Sequence, residues 1–157
     1  MTGPILQQIR ELLTQAVINF REVCHEPAHT SEESARVRGE SLAVGAKALL
    51  VKTDDVFRLF VLPADRQLDA KKVKQKIGVR SIRFATKEEL SEQTGLVPGA
   101  VPPFGRPVLP FELYGDSAIG GVEDKVAFNA GEITTSVIMK ASDWKAVAKP
   151  VEFEFTK

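Results

Sequence analysis

Cysteine is nearly missing from this chain: among 157 residues Cys24 stands alone, so no internal disulfide framework can brace the fold. Histidine is almost as scarce. His25 and His29 are the only two, and with Cys24 they fall short of the spaced ligands that a zinc site requires. A net charge is absent as well, because 21 Lys+Arg balance 21 Asp+Glu, which excludes a whole-molecule field that binds polyanions indiscriminately. No apolar run approaches the roughly 20 residues of a membrane span, and no charged-then-apolar leader opens the chain. No internal repeat and no Ser-His-Asp set for nucleophilic catalysis can be assembled. These absences predict a soluble, cytoplasmic protein with no membrane contact, no metal and no cofactor.

What is present suits a globular domain: 43% hydrophobic and 27% charged residues, in a length that fits one domain over residues 1–157. Pro4 followed by Ile5, Ile9, Leu12, Leu13 and Ala16 predicts an amphipathic helix. Phe20 and Val23 suit a short strand, and Thr30 with Glu33 forms a capping box for a helix closed by Gly39. Two branched apolar runs, Ala46 to Val51 and Val56 to Leu62, flank Thr53, Asp54 and Asp55 and read as a β-hairpin. Asp69 caps a helix with Val73 and Ile77 inward and Gly78 at its end. A strand at Ile82 to Phe84 follows, then a capping box from Thr86 to Glu89 and a helix stopping near Gly95. Strands are expected at Val108 to Tyr114, Val126 to Asn129 and Thr135 to Met139, then a short helix capped by Ser142 or Asp143, then a strand at Val151 to Phe155. Because short helices and strands interleave without regular alternation, the expected class is α+β, a single domain with a mixed, largely antiparallel β-sheet or partial barrel flanked by short helices.

Four places could carry chemistry. Cys24 and His25 are neighbours on a strand, so their side chains diverge, and a half-buried thiol beside a surface imidazole is favoured over a nucleophilic pair. Lys47 heads an apolar strand, where a lysine either snorkels to water or serves a site. From Thr94 to Gly105 the chain is stiffened by proline and opened by glycine, so its backbone N–H groups can approach a ligand and hold an oxyanion; a surface connection is the simpler alternative. Between Arg66 and Lys87 lie Arg66, Lys71, Lys72, Lys74, Lys76, Arg80, Arg83 and Lys87 against one acid, Asp69. Such a cluster is either a solvated helix face or a phosphate-backbone contact.

The order of Lys47-Ala48-Leu49-Leu50-Val51, Gln67-Leu68-Asp69-Ala70-Lys71-Lys72-Val73, the Thr94 to Gly105 loop, and Phe128-Asn129-Ala130-Gly131 ahead of Ser142-Asp143-Trp144 resembles the YbaK/prolyl-tRNA editing domain family. The resemblance runs from about Phe20 to Trp144. It implies an aminoacyl-tRNA deacylase acting on a mischarged tRNA, free-standing rather than inserted in a synthetase. Lys47 matches the lysine of the family's Lys-Thr-Leu signature, which contacts the tRNA acceptor end, with Ala48 where that signature has threonine. Gly99 and Ala100 match the Gly-Gly of the pocket loop. Asn129 and Gly131 fall on the turn beside the pocket, Ser136 falls where bacterial members carry aspartate, and Thr30 and Ser31 match the stretch that walls the amino-acid side chain.

The resemblance therefore assigns catalysis to Lys47, Gly99, Ala100, Asn129 and Ser136. Substrate binding falls to Thr30, Ser31, Val101, Pro102, Phe104 and Gly131, and tRNA binding to Lys71, Lys72, Lys74 and Arg80. An activated ester needs positioning and oxyanion stabilisation rather than a triad. A small pocket would select alanine, serine, threonine or cysteine on tRNA-Pro or a related tRNA. The partner implied is mischarged tRNA, with an aminoacyl-tRNA synthetase as a further one. The departures at Ala48, Ala100 and Ser136 motivate an alternative, a non-catalytic tRNA-acceptor or synthetase-binding module of the same fold.

Overall fold

The computed structural model describes residues 3–157. Pro4 occupies the first turn of α1 (Pro4–Gln15), whose Leu6, Ile9 and Leu13 recur at helical spacing and are buried. The chain continues into β1 (Phe20–Cys24) and α2 (Ser31–Arg38). At the start of α2 the Thr30 hydroxyl accepts from the Glu33 N–H at 3.1 Å, so one half of the expected capping box forms. Gly39 ends the helix at φ 72°.

A short 3-10 turn at Leu42–Val44 leads into the hairpin of β2 (Ala46–Thr53) and β3 (Val56–Pro63), with Asp54 and Asp55 as a two-residue loop. Thr53 thus belongs to the strand rather than to the turn. Asp54 also accepts from the N–H groups of Arg80 (3.1 Å) and Ser81 (2.9 Å), which anchors the entry to β4 (Ile82–Phe84). Between them α3 (Ala70–Ile77) is capped by Asp69 as expected, and α4 (Lys87–Thr94) opens on a complete capping box of Thr86 and Glu89.

The remaining elements are β5 (Leu113–Asp116), β6 (Val126–Asn129), β7 (Thr135–Met139), α5 (Ala141–Ala148) and β8 (Val151–Phe153). Three boundaries differ from expectation. The strand foreseen from Val108 begins only at Leu113, because the N–H groups of Val108 and Leu109 both turn back to the Gly105 carbonyl and Pro107 and Pro110 have no N–H to offer a ladder. Neither Ser142 nor Asp143 caps α5. The N-cap position is Lys140, and Asp124 supplies the acceptor, taking the Ser142 N–H at 2.8 Å and its hydroxyl at 2.9 Å. The last strand ends at Phe153, since the Phe155 N–H goes to Asp116 instead.

The α+β class and the largely antiparallel pairing are as expected, but the strands divide into two sheets. One is antiparallel in the order β1-β7-β6; the other is mixed, in the order β4-β2-β3-β5-β8. A bridge between Gly45 and Ala127 joins them without closing a barrel. Along β3, Leu59 and Val61 face one cluster while Phe60 and Leu62 face another, so both faces of the mixed sheet are buried. The larger cluster fills the space between the sheets with α1, α4, α5 and the proline-rich segment, and the smaller one is covered by Val73 and Ile77 of α3. Among the described residues no helix is long and apolar enough to cross a membrane.

Candidate active site

Strand β2 pairs with β3 over its whole length but with β4 only at residues 51–53, so one edge of its first half is open. The two-residue turn makes Thr53 and Val56 a mutually bonded pair, and alternation then points the main-chain groups of Val51, Leu49 and Lys47 toward β3. Ala48 and Leu50 turn theirs outward. The Leu50 carbonyl indeed accepts from the Ala85 N–H at 2.9 Å, while the N–H and C=O of Ala48 meet no partner among the described residues.

Along this edge lies a cavity of about 210 Å³. It is walled by Gly45 to Leu49 of the strand, by His29, Thr30, Ser31, Ser34 and Arg38 of the α2 region, by Ala64, and by Gly99, Val101 and Asn129. Gly99 has φ 90°, and a Cβ there would stand 2.9 Å from the His29 carbonyl oxygen, so only glycine closes the loop against α2.

Beneath the cavity is a polar network. Arg38 donates from Nε to Ser136 Oγ at 2.8 Å, from Nη2 to Asn129 Oδ1 at 3.1 Å and from Nη1 to the Ala127 carbonyl at 3.4 Å. Ser136 Oγ also lies 3.0 Å from Asn129 Oδ1 and 2.8 Å from His25 Nε2. The Asn129 amide nitrogen donates to Gly99 O at 2.8 Å and to Ala28 O at 3.3 Å. Every polar atom of Asn129 is therefore engaged, and its work is to fix the Gly99 peptide. Arg38 meets only neutral acceptors in this network; burial pulls its pKa down to about 10, partly offset by the field of Glu40, and it stays cationic at neutral pH. Lys47, half-buried on the opposite wall, is likewise held below the ordinary lysine range by burial, opposed by the fields of Glu32 and Asp65. The cavity is thus polar and cationic, with two positive groups facing a common space.

Of the expected site residues, the fold brings Lys47, Gly99, Asn129, Thr30, Ser31 and Val101 to this cavity. Others lie apart from its wall. Ser136 is fully buried below it, and Ala100 is buried with its N–H on the Val97 carbonyl and its C=O accepting from Gly131. Pro102 and Phe104 belong to the core: Phe104 is 1% exposed and packs edge-on against Phe128, and the adjoining Pro103 carbonyl accepts from the Trp144 indole at 2.8 Å. The stretch accordingly divides: Gly95 and Val97 to Gly99 run along the surface, while Ala100 to Gly105 forms an inner wall. Gly131 sits against Ile5 of α1 and not against the cavity. The oxyanion-holding amides expected over Gly99 to Gly105 reduce at the cavity to those of Gly99 and Val101, since Phe104 N–H is taken by Pro102 O. Lys71, Lys74 and Arg80 lie on or after α3, outside the cavity, and Lys72 is tied to Glu154 at 2.7 Å and to the Thr156 carbonyl at 2.8 Å. The pair read as half-buried thiol and surface imidazole is the reverse: Cys24 is exposed and His25 is drawn inward by Ser136.

The aminoacyl-tRNA editing domain matches residues 25–147, a span that holds every residue lining the cleft. The chain belongs to that family. Its resemblance extends over full-length relatives. It is 37% identical to the multifunctional Ser/Thr-tRNA deacylase ProXp-y of Escherichia coli K12, covering 96% of this chain and 92% of that one. It is 25% identical to the prolyl-tRNA editing protein ProX of Acetoanaerobium sticklandii, covering 91% and 90%. A proline–tRNA ligase of Shouchella clausii matches at 33% over 67% of this chain but 18% of its own length, so the editing domain corresponds to a portion of that larger protein. In fold, the chain superposes with a TM-score of 0.84 on a candidate trans-editing enzyme for prolyl-tRNA synthetase, at 23% identity and over 100% and 99% of the two chains. The activity class of the family is hydrolysis of the aminoacyl-tRNA ester, the one expected from the sequence.

Arg38 and Ser34 were not singled out by the sequence. Arg38 sits in the last turn of α2, where a cation ordinarily complements the helix dipole, and that position disguises a side chain that bonds to Ser136, 98 residues further along the chain.

Proposed function

We propose that this editing domain hydrolyses the ester of a tRNA mischarged with serine or threonine, tRNA-Pro being one such carrier. The observation that carries the reading is the polar lining of the cavity, to which Thr30, Ser31, Ser34 and Arg38 all contribute around a space fit for a small side chain. A site built to hydrogen-bond a hydroxyl rejects an analogue that lacks it far more strongly than an apolar site rejects a methylene. The 37% identical relative is named for the same two amino acids.

In this scheme Lys47 holds the negatively charged acceptor end. The outward carbonyl of Ala48 accepts from the α-ammonium of the amino acid. Water attacks the ester carbon and places negative charge on the carbonyl oxygen, which the N–H groups of Gly99 and Val101 receive; collapse of the intermediate breaks the ester C–O bond, and the ribose oxygen leaves with the proton that the water gives up. Asn129 and Ser136 act through Gly99 and Arg38 as positioning residues. The reaction belongs in the cytoplasm with the translation machinery, and a synthetase could deliver the tRNA.

The test is a deacylation panel of tRNAs charged with alanine, serine, threonine and cysteine. Seryl- and threonyl-tRNA are expected to be hydrolysed fastest, and Lys47→Ala to reduce kcat/KM on both by about tenfold to a hundredfold, the scale of losing one charge-assisted contact to the acceptor end. Wild-type rates in Lys47→Ala, or tRNA binding without hydrolysis of any ester, would overturn the reading, the latter in favour of a non-catalytic acceptor-binding module.

A further inference from the structure

The polar cavity has a neighbour of different chemistry. A second cleft, of about 170 Å³, shares the wall formed by Ala48, Leu49, Gly99 and Val101. Beyond that wall its lining is apolar, from Leu50, Phe84, Leu90 and Pro98. The Thr86 hydroxyl, which also faces this region, is engaged by the Glu89 N–H of the capping box, so Lys87 is the one charged side chain at the cleft. Lys87 forms no ion pair within 4 Å among the described residues, unlike neighbouring Arg83, which Glu89 holds at 2.7 Å.

Phe84 ends β4 and is 59% exposed. A single exposed aromatic is unremarkable on its own. Here it lines a concave apolar cleft continuous with a polar cavity, and a flat ring in that setting offers a stacking face. Stacking without hydrogen-bond readout suits a base whose identity need not be read, and the last base of the acceptor end is the same in every tRNA. The two compartments are separated by the width of one strand edge, so a ribose carrying the ester can cross it beside the N–H and C=O of Ala48, which meet no partner among the described residues.

We infer that the apolar cleft receives the terminal adenine of the tRNA, stacked on Phe84 with Lys87 beside its phosphate, while the esterified amino acid enters the polar cavity. This inference rests on the deacylase reading for its orientation, and its test separates the two. Steady-state kinetics on seryl-tRNA are expected to show KM raised about tenfold in Phe84→Ala, with kcat little changed and KM restored in Phe84→Trp, a scale typical of one lost base stack. Seryl methyl ester, which lacks the nucleoside, is expected to be hydrolysed equally by the wild type and Phe84→Ala. An unchanged KM on seryl-tRNA, or an equal defect on the methyl ester, overturns the subsite.

Binding supplies a second measurement that needs no turnover. The trinucleotide CCA is expected to shift the Phe84 ring resonances upfield in the wild type and to bind Phe84→Ala about tenfold more weakly. If CCA does so while no aminoacyl-tRNA is hydrolysed, the subsite stands and the deacylase reading falls. If free AMP binds more tightly than CCA, the cleft serves a soluble nucleotide and the inference is overturned.

Discussion

Arg38 poses the sharpest question at the scale of single residues, because it is a largely buried cation whose network partners are a hydroxyl, an amide and a carbonyl, with no carboxylate among them. Burying a charge without a countercharge is costly, so the residue is poorly explained as a stabilising element. Replacing it by methionine removes three hydrogen bonds and also the desolvation cost. These oppose each other, and folding stability by urea titration is expected to change by no more than about 1 kcal/mol. Activity is expected to respond differently, because Asn129 Oδ1 loses one of its two donors and the cavity loses a positive wall. A fall in kcat of about tenfold or more corresponds to about 1.4 kcal/mol of transition-state stabilisation. A variant that unfolds and loses activity in parallel would make Arg38 a structural residue instead.

Lys47 carries a pH dependence whose sign follows from its burial. Because burial lowers its pKa from the ordinary value of 10.5, the ammonium is charged at neutral pH but loses its proton earlier on the alkaline side than an exposed lysine does. Affinity for an uncharged acceptor-stem minihelix, followed by fluorescence anisotropy, is expected to be level near neutrality and to fall as pH rises toward that range. Lys47→Arg keeps its charge throughout and should abolish the step. A step that persists in the arginine variant would assign it to another group.

At the scale of elements, two glycines at the ends of one hydrogen-bonded segment separate site geometry from stability. Gly99 and Gly131 both have positive φ, 90° and 84°, and the Gly131 N–H donates to the Ala100 carbonyl next to Gly99. A Cβ at Gly99 meets the His29 carbonyl at 2.9 Å, whereas one at Gly131 meets the Ile5 side chain at 2.7 Å. Alanine at either position should cost about 1–3 kcal/mol of stability through backbone strain. Only Gly99→Ala disturbs the cavity wall, so deacylation per folded molecule, with folding measured by circular dichroism, should drop in Gly99→Ala and persist in Gly131→Ala.

The same segment shows where sequence reading works and where it stops. Helices and the hairpin were legible because their signals are local: Asp69 and Thr86 cap, Gly78 and Gly95 terminate, and Asp54-Asp55 turn within a few residues of the elements they bound. The strand misplaced at Val108 failed because its first N–H groups close a local turn on the Gly105 carbonyl between two prolines, and the cap misassigned at Ser142 because a tertiary partner, Asp124, decided it. The family pattern named Lys47, Gly99 and Thr30, and the fold brings all three to the cavity. Phe104 and Ser136 lie behind that cavity, since an apolar ring and a hydroxyl look alike in sequence whether they face a cavity or the core behind it.

For the whole molecule, charge balance conceals a local asymmetry with a measurable consequence. The formal net charge is zero, yet the segment from Arg66 to Lys87 holds eight bases and one acid. The structure sorts those bases. Lys72 is neutralised by Glu154 and Arg83 by Glu89, while Lys71 is exposed and, like the half-buried Lys74 and the exposed Arg80, forms no ion pair within 4 Å among the described residues. If this band meets the tRNA backbone, each contact releases bound counterions and adds to the salt dependence of binding. Removing one true contact should lower the slope of log affinity against log salt by about 0.7–0.9. Lys71→Ala, Lys74→Ala and Arg80→Ala are each expected to reduce the slope by that amount. Lys72→Ala should leave the slope nearly unchanged, since its ammonium already has a carboxylate, although it would loosen the tie between α3 and the chain after β8. Equal slopes for all four variants would show that the band is a solvated face and that the acceptor end is held by the two cavities alone.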